Sequence, residues 1–385
     1  MSRQSIISQL NINLHKGRAI KRRIIDAREN SVAFINRQAL INFTHNDYLG
    51  LSTHPAVKKS FMQAANDFGL GSSASPTLSG YYNAHRELED NMAAFLQRDR
   101  AMLFNSGFNA NLGVIAALAN RHSTIYADKF CHASILAGIQ LSRARHIRFN
   151  HNDVQHAESL QDKQTSANLL ITESVFSMSG VISPLPELAT LAKKYQASLL
   201  IDDAHGIGVL GPEGRGVCEY FQLTQKDVPC LITPLGKALG SMGAIVSGSS
   251  ELIEYLIQFA KSYRYSTALP PAIAAATNTA LKILQQETWR REKLQTLIHF
   301  FDCAAKARHL PLLSHTPTPI KSILIGENAL AIRLQARLQE KGFLIASIRP
   351  PTVPEASARI RISLNCLLTE NNILQLLDCL AEELN

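Results

Sequence analysis

Long apolar runs are missing from this chain, and so are paired cysteines, basic tails and aromatic clusters. None of its apolar stretches approaches the roughly 20 residues that span a bilayer, and the N-terminus lacks the uninterrupted apolar core of a secretory leader. A cytoplasmic protein away from the membrane is the expectation. The six cysteines, at 131, 218, 230, 303, 366 and 379, form no CxxC pair. They read as buried thiols in a reducing compartment, and no metal site is expected. Aromatic residues make up 6% of the chain, and its +8 net charge, 39 basic against 31 acidic side chains, is spread along the sequence. That distribution gives no support to nucleic-acid binding, although it suits an anionic substrate. No internal repeat or low-complexity segment is present.

What is there is core-forming material: 385 residues, 46% hydrophobic and 18% charged, enough for one large domain and a smaller one. The densest basic stretch, Lys16 to Arg28, also carries Ile20, Ile24 and Ile25, and predicts an amphipathic helix with a solvated basic face. From about residue 100 to 250 short apolar runs (101–104, 169–171, 198–201, 230–232, 244–246) alternate with helical patterns. This rhythm predicts an α/β domain with a mostly parallel sheet. Leu269-Pro270-Pro271 interrupts the pattern before a long helix starting near Ala272. Beyond it, strand-like 320–325 and 359–364 alternate with helices near 327–341 and 369–384, an α+β pattern. The expected division is an N-terminal helical segment (1–44), a large domain (45–270) and a small C-terminal domain (271–385).

Three segments at the presumed strand ends, and one arginine within a strand-like run, carry chemistry. In Ile201-Asp202-Asp203-Ala204-His205 two acids and a histidine leave a buried run; they either cap a helix with a packed histidine, or pair with a cationic ring and its substituent. Thr233-Pro234-Leu235-Gly236-Lys237-Ala238 sets one lysine among small residues. It is either a solvated lysine in a glycine-rich turn or an amine with room for an aldehyde, its pKa lowered by desolvation. Asn105-Ser106-Gly107-Phe108-Asn109 precedes a helical pattern, either an ordinary turn or a phosphate-binding helix N-terminus, with Ser266-Thr267 as a second phosphate ligand. Finally, Arg361 inside an apolar alternation calls for an anionic partner.

Taken together with Asn46-Asp47-Tyr48-Leu49-Gly50, His132-Ala133-Ser134, His151-Asn152-Asp153 and Glu173-Ser174-Val175-Phe176-Ser177-Met178, these segments resemble the α-oxoamine synthases. Those are pyridoxal-phosphate (PLP) enzymes of fold type I, aspartate-aminotransferase-like, and the resemblance covers essentially the whole chain. It implies a homodimer with its active site at the interface, and a decarboxylative condensation of an amino acid with an acyl thioester. Lys237 would carry PLP as a Schiff base, Asp202 would partner the pyridine nitrogen, His205 the phenolic oxygen, and His132 would stack on the ring. Gly107, Phe108 and Ser177 would bind the cofactor, with Ser266 or Thr267 reaching its phosphate from the second subunit. Asn46 and Arg361 would hold the amino-acid carboxylate, and Thr352 would line the acyl path. Within the family, Ile348-Arg349-Pro350-Pro351-Thr352-Val353-Pro354 with Arg359-Ile360-Arg361 is most similar to the branch that joins L-alanine to a pimeloyl thioester of CoA or a carrier protein. Glycine-using acetyltransferases share the cofactor site, and a non-catalytic binding protein of the same fold is the alternative of a different class. Two positions depart from the family pattern. Pro234 stands where a phosphate-binding threonine is usual, with Thr233 one place earlier. Lys21 falls opposite the family's acyl-binding arginine, with Arg22, the one able to make a bidentate contact, beside it.

Overall fold

The computed structural model describes residues 2–16, 18, 22–161 and 169–384. Strands β1 (Ala27–Glu29), β2 (Val32–Ile35) and β3 (Gln38–Asn42) come first. Next are β4 (Arg100–Phe104), β5 (Thr124–Asp128), β6 (Arg145–Phe149), β7 (Leu169–Glu173), β8 (Ser198–Asp202), β9 (Cys230–Pro234) and β10 (Ala244–Gly248). The last are β11 (Ile320–Gly326), β12 (Phe343–Leu344), β13 (Ala346–Ile348) and β14 (Ala358–Ser363). The helices that matter below are α1 (Arg3–His15), α2 (Pro55–Phe68), α3 (Asn83–Phe95), α4 (Gly107–Leu118) and α5 (Ala133–Ser142).

The chain folds into two compact units. The larger holds Asp47–Ser177 and Val181–Glu292; the other holds the N-terminal residues through Asn46, the short Met178–Gly180 and the chain from Lys293 onward. The larger unit is built on a seven-stranded sheet ordered β4-β10-β9-β8-β7-β5-β6. β10 runs antiparallel to both its neighbours and the other pairings are parallel. β5, β7, β9 and β10 are buried at every position, as strands covered on both faces must be. The edge strand β6, Arg-His-Ile-Arg-Phe, keeps its charges in water, which protects the open edge.

One face of the sheet packs against α4 and α5 through Ile125, Ile171, Leu200 and Ile232 from the strands and Val114, Ile115 and Ile135 from the helices. The two helices approach closely because residue 138 is glycine: a Cβ there would fall 2.9 Å from the Asn111 carbonyl oxygen. That approach brings Asn111 of α4 to Ser134 of α5, a contact the site depends on.

In the smaller unit β1, β2, β3 and β12 form a four-stranded sheet, and β11, β14 and β13 a three-stranded one. β3 pairs parallel with β12, Ile41 opposite Phe343, so the first strands and the C-terminal residues share one sheet. Met178–Gly180 joins them through Ser322, whose Oγ donates to the Met178 carbonyl at 2.8 Å, and Thr318, which donates to Gly180 O at 2.8 Å.

Two expectations are corrected. The helix Pro271–Gln286, expected to open the small domain, belongs to the larger unit, packed along α2 and α3. The proline pair interrupts the local pattern without ending the unit. Of Lys16–Arg28, expected to form an amphipathic helix, residues 17 and 19–21 lie outside the described residues; the described helix is Arg3–His15, residues 22–26 have no regular structure and Ala27 enters β1 opposite Phe34. Pairing with β2 overrides the helical preference there.

Candidate active site

Asp202 stands at the carboxyl end of β8 with 4% of its surface exposed. Its Oδ2 accepts a hydrogen bond from Asn111 Nδ2 at 2.7 Å and its Oδ1 one from the Ala204 amide at 3.1 Å. Asn111 gives its other amide hydrogen to Ser134 Oγ at 3.0 Å. Ser134 Oγ lies 2.7 Å from His132 Nδ1, and the Ser134 backbone N–H donates to the same nitrogen at 3.3 Å, making His132 the N-cap of α5. A nitrogen that accepts from a backbone amide carries no proton, so the ring hydrogen of neutral His132 sits on Nε2. Ser134 Oγ accepts from Asn111 and donates to His132. One asparagine thereby orients both Asp202 and, through a serine, His132. Burial lowers the His132 pKa, with the Asp202 charge opposing and the Lys237 charge reinforcing that shift. The imidazole is thus kept neutral, although the residue stays open to solvent on one side.

His205, 3% exposed, follows on the loop after β8, with its Nδ1 2.6 Å from the hydroxyl of the fully buried Tyr48. Lys237 is half-buried in the turn after β9, where its charge acts on both His132 and Glu173. Glu173 ends β7 in register with Asp202. Burial, then the Asp202 charge, pushes its carboxyl well above the usual range, and it accepts a hydrogen bond from the His132 backbone. Lys237, Asp202, His132 and Glu173 form one electrostatically connected group in which the histidine and the glutamic acid are shifted, an arrangement typical of reactive sites.

At the start of α4, Ala110 N–H bonds the Ser106 carbonyl and Asn109 N–H bonds Ser106 Oγ at 3.1 Å. The amides of Gly107 and Phe108, the first two of the helix, find no acceptor among the described residues, and a helix N-terminus in that state favours a phosphate. Phe108 is exposed and Gly107 and Ser177 are half-buried. Thr233 is fully buried and its Oγ1 has no hydrogen-bond partner. Its neighbour Pro234 is the residue whose ring lies against Gly107. Ser266 is half-buried and Thr267 exposed, with Thr267 O accepting from Asn105 Nδ2 at 3.3 Å.

In the smaller unit Arg361, 6% exposed, donates from Nη1 to Ser363 Oγ at 2.9 Å and from Nη2 to Asn46 Oδ1 at 3.1 Å. Thr352 is exposed, in a turn closed by its amide on the Arg349 carbonyl at 3.1 Å. Arg22 is exposed and Lys21 lies outside the described residues. Arg23, which sequence reasoning passed over, donates to the Ile345 carbonyl at 3.2 Å, and burial lowers its pKa. Asn111, Ser134, Tyr48 and Glu173 were also given no role from sequence, although the last three lie in segments that carry the resemblance. Their signal was a short polar side chain beside an apolar run, and only the packing of α4 on α5 shows what each one meets.

An amine, a buried acid, a histidine and a helix start with two unclaimed amides fit PLP: an aldehyde, a ring nitrogen, a phenolic oxygen and a phosphate. The comparisons agree. The family described as Aminotransferase class I and II matches residues 38–380, and the chain belongs to it. More narrowly, its relatives are α-oxoamine synthases. The chain is 48% identical to the 8-amino-7-oxononanoate synthase of Saccharophagus degradans over 89% of this chain and 86% of that one. It is 42% identical to the enzyme of the same name from Cellvibrio japonicus over 99% and 96%. Among solved structures, the 8-amino-7-oxononanoate synthase of Francisella tularensis superposes with a TM-score of 0.81 at 36% identity, covering 90% of this chain and 98% of that one. Serine palmitoyltransferase of Sphingomonas wittichii superposes with a TM-score of 0.92 at 28% identity, covering 99% and 96%. A further serine palmitoyltransferase structure, similar at 27% identity with a TM-score of 0.91, holds PLP. The fold is that of the PLP-dependent aminotransferases. No helix among the described residues is long and apolar enough to cross a membrane.

Proposed function

We propose that this chain is an 8-amino-7-oxononanoate synthase, which condenses L-alanine with a pimeloyl thioester of CoA or a carrier protein and releases carbon dioxide and the free thiol, a step of biotin biosynthesis. The observation that carries the proposal is the set of Lys237, Asp202, His205 and His132 at the carboxyl ends of β5, β8 and β9, in a chain whose relatives of that name span nearly its full length. When bound, PLP supplies an electron sink for a carbanion formed at the amino acid's α-carbon.

The chain's own groups do the rest. The Lys237 amine is the attachment point for the cofactor's aldehyde and the base for the α-proton. Asp202, fixed by Asn111, holds a proton at the ring nitrogen; His205, braced by Tyr48, bonds the phenolic oxygen. His132 would hold the ring and offer its Nε2 hydrogen, and the amides of Gly107 and Phe108, with Ser177, would hold the phosphate. Arg361 and Asn46 bind the amino-acid carboxylate, Arg22 the distal carboxylate of the pimeloyl group, and Thr352 lines its path.

The homodimer belongs to the same proposal, with Ser266 or Thr267 of the partner subunit on the phosphate. In support of an interface, Leu70, Leu78 and Tyr265 are 94%, 81% and 73% exposed. Their loops are tied together by Thr77 Oγ1 on Arg264 O and the Ala268 amide on Ala74 O.

The test is a matrix of L-alanine and glycine against pimeloyl-, acetyl- and succinyl-CoA, with borohydride trapping of the cofactor. Turnover greatest with alanine and the pimeloyl thioester, and cofactor mass on Lys237, are expected. Preference for glycine and acetyl-CoA would make it a glycine acetyltransferase, and absence of both turnover and cofactor would leave a binding protein.

A further inference from the structure

Pro234 closes β9 in the middle of the large sheet, a position where proline normally costs a ladder bond. Here it does not. The Leu235 amide donates to the Gly243 carbonyl at 2.9 Å, so the odd-numbered residues of β9 exchange hydrogen bonds with β10 and the nitrogen of residue 234 points the other way. On that other side the pairing with β8 has already ended at Asp202 and Ile232. The backbone therefore asks for no hydrogen at residue 234, and proline is tolerated for its ring alone.

Side chains alternate along a strand. Cys230 and Ile232 face α4 and α5 within the apolar core, and Pro234 shares their face. A Cβ built on Gly107 would fall 2.8 Å from Pro234 Cγ and 3.1 Å from its Cβ, so the proline ring is seated directly on the start of α4. Thr233 points the opposite way, fully buried, its Oγ1 without a partner.

We infer that Pro234, and not Thr233, borders the anion site at the Gly107 and Phe108 amides, so that this chain holds its cofactor's phosphate without a hydroxyl from β9. The inference rests on the cofactor reading above and deepens it. Pro234 is an affinity-setting residue: the ring closes the space against Gly107 but donates nothing to the anion. A threonine at 234 carries its Oγ1 one bond beyond Cβ, as the proline carries Cγ, and so places a donor beside the two unclaimed amides. The hydroxyl of Thr233 cannot replace it without turning the strand over, which would put its neighbours on the wrong faces.

The experiment compares PLP with pyridoxal, which lacks the phosphate, binding to wild-type chain stripped of cofactor and to P234T, P234A and T233V, by quenching of intrinsic fluorescence. P234T is expected to tighten PLP by about tenfold, the scale of one hydrogen bond to a charged group, and to leave pyridoxal unchanged. P234A, which removes the ring without adding a donor, keeps the wild-type ratio of the two affinities. T233V, which removes a buried hydroxyl that bonds nothing, keeps PLP affinity and does not lower the melting temperature. A PLP-to-pyridoxal ratio unchanged in P234T, or lowered in T233V, overturns the inference while leaving the cofactor assignment standing. Should P234T not fold, T233V decides alone. A wild-type chain that takes up neither compound overturns the cofactor assignment, and this inference with it.

Discussion

Asn111 donates to Asp202 across 2.7 Å from a side chain that is 1% exposed, on a helix packed along the face of the sheet. Its second amide hydrogen serves Ser134, so one residue fixes two groups of the site.

Replacing Asn111 with leucine keeps the volume and removes both donors. A hydrogen bond to a charged group is worth about 1.5–3 kcal/mol, so kcat with saturating alanine should fall by about 10- to 100-fold. Ser134→Ala removes the hydroxyl that His132 and one Asn111 amide hydrogen share but keeps the bond from Asn111 to Asp202, and should cost less, with the larger change in the pH profile. Steady-state kinetics of the two variants decides; a twofold or smaller effect of Asn111→Leu would show that the bond to Asp202 has no part in turnover.

Arg361 spends two of its donors on Asn46 and Ser363, which fixes the guanidinium plane. Lysine keeps the charge but loses the planar fork. Arg361→Lys is expected to raise KM for alanine by about tenfold or more, roughly one bidentate contact, while KM for the pimeloyl thioester stays within a factor of two. Equal loss for both substrates would assign Arg361 to the fold instead.

The sheet was legible where its strands read as unbroken apolar runs, as in β4, and illegible elsewhere; β5, buried at every position, was missed because Thr124, Tyr126 and Asp128 break its run. β7, β8, β9 and β10 show as apolar runs, and Asp202, His205 and Lys237 follow from being polar at their ends. β6 was missed because an edge strand keeps arginines that mask its alternation, and β1 to β3 because short strands become stable only through partners such as β12, some 300 residues away in sequence. The same limit applies to the site. That a histidine follows β5 is local information; that Asn111 holds Asp202 depends on Gly138 letting α5 approach α4, which no periodicity records.

Glu89, on α3, accepts from the Leu103 amide at 2.6 Å and lies 2.5 Å from the Tyr81 hydroxyl. Burial pushes its carboxyl up from 4.5 to about 7. The folded chain therefore keeps a proton that the unfolded chain has released between about pH 4.5 and 7. Stability contributed by that proton is present at the acid end of the window and is lost as pH rises through it. Asp203, raised by burial from 3.8 to about 7, acts in the same direction. Glu89→Gln retains an acceptor for Leu103 and carries no proton to lose. The wild type should lose stability from pH 5.5 to pH 8, and the variant should lose less, by about 2–3 kcal/mol at the upper end. Denaturant melts at the two pH values measure it, and identical slopes for both proteins would place the carboxyl's titration below the window.

Gly107 and Pro234 form a fitted pair whose coupling can be measured. A methyl at 107 would fall 2.8 Å from Pro234 Cγ, closer than carbon atoms approach, so Gly107→Ala must push the start of α4 away from β9. The amides of Gly107 and Phe108 move with it, and PLP affinity should fall by about tenfold, while pyridoxal, which has no phosphate to present to them, is less affected. Pro234→Ala removes the ring carbon that is struck, so the double variant should regain most of the loss, leaving a coupling of about 1 kcal/mol in a double-mutant cycle. Glycine and alanine also differ in helix propensity, by about 1 kcal/mol. That difference favours alanine, so an additive loss would have to come from the anion site and not from the helix.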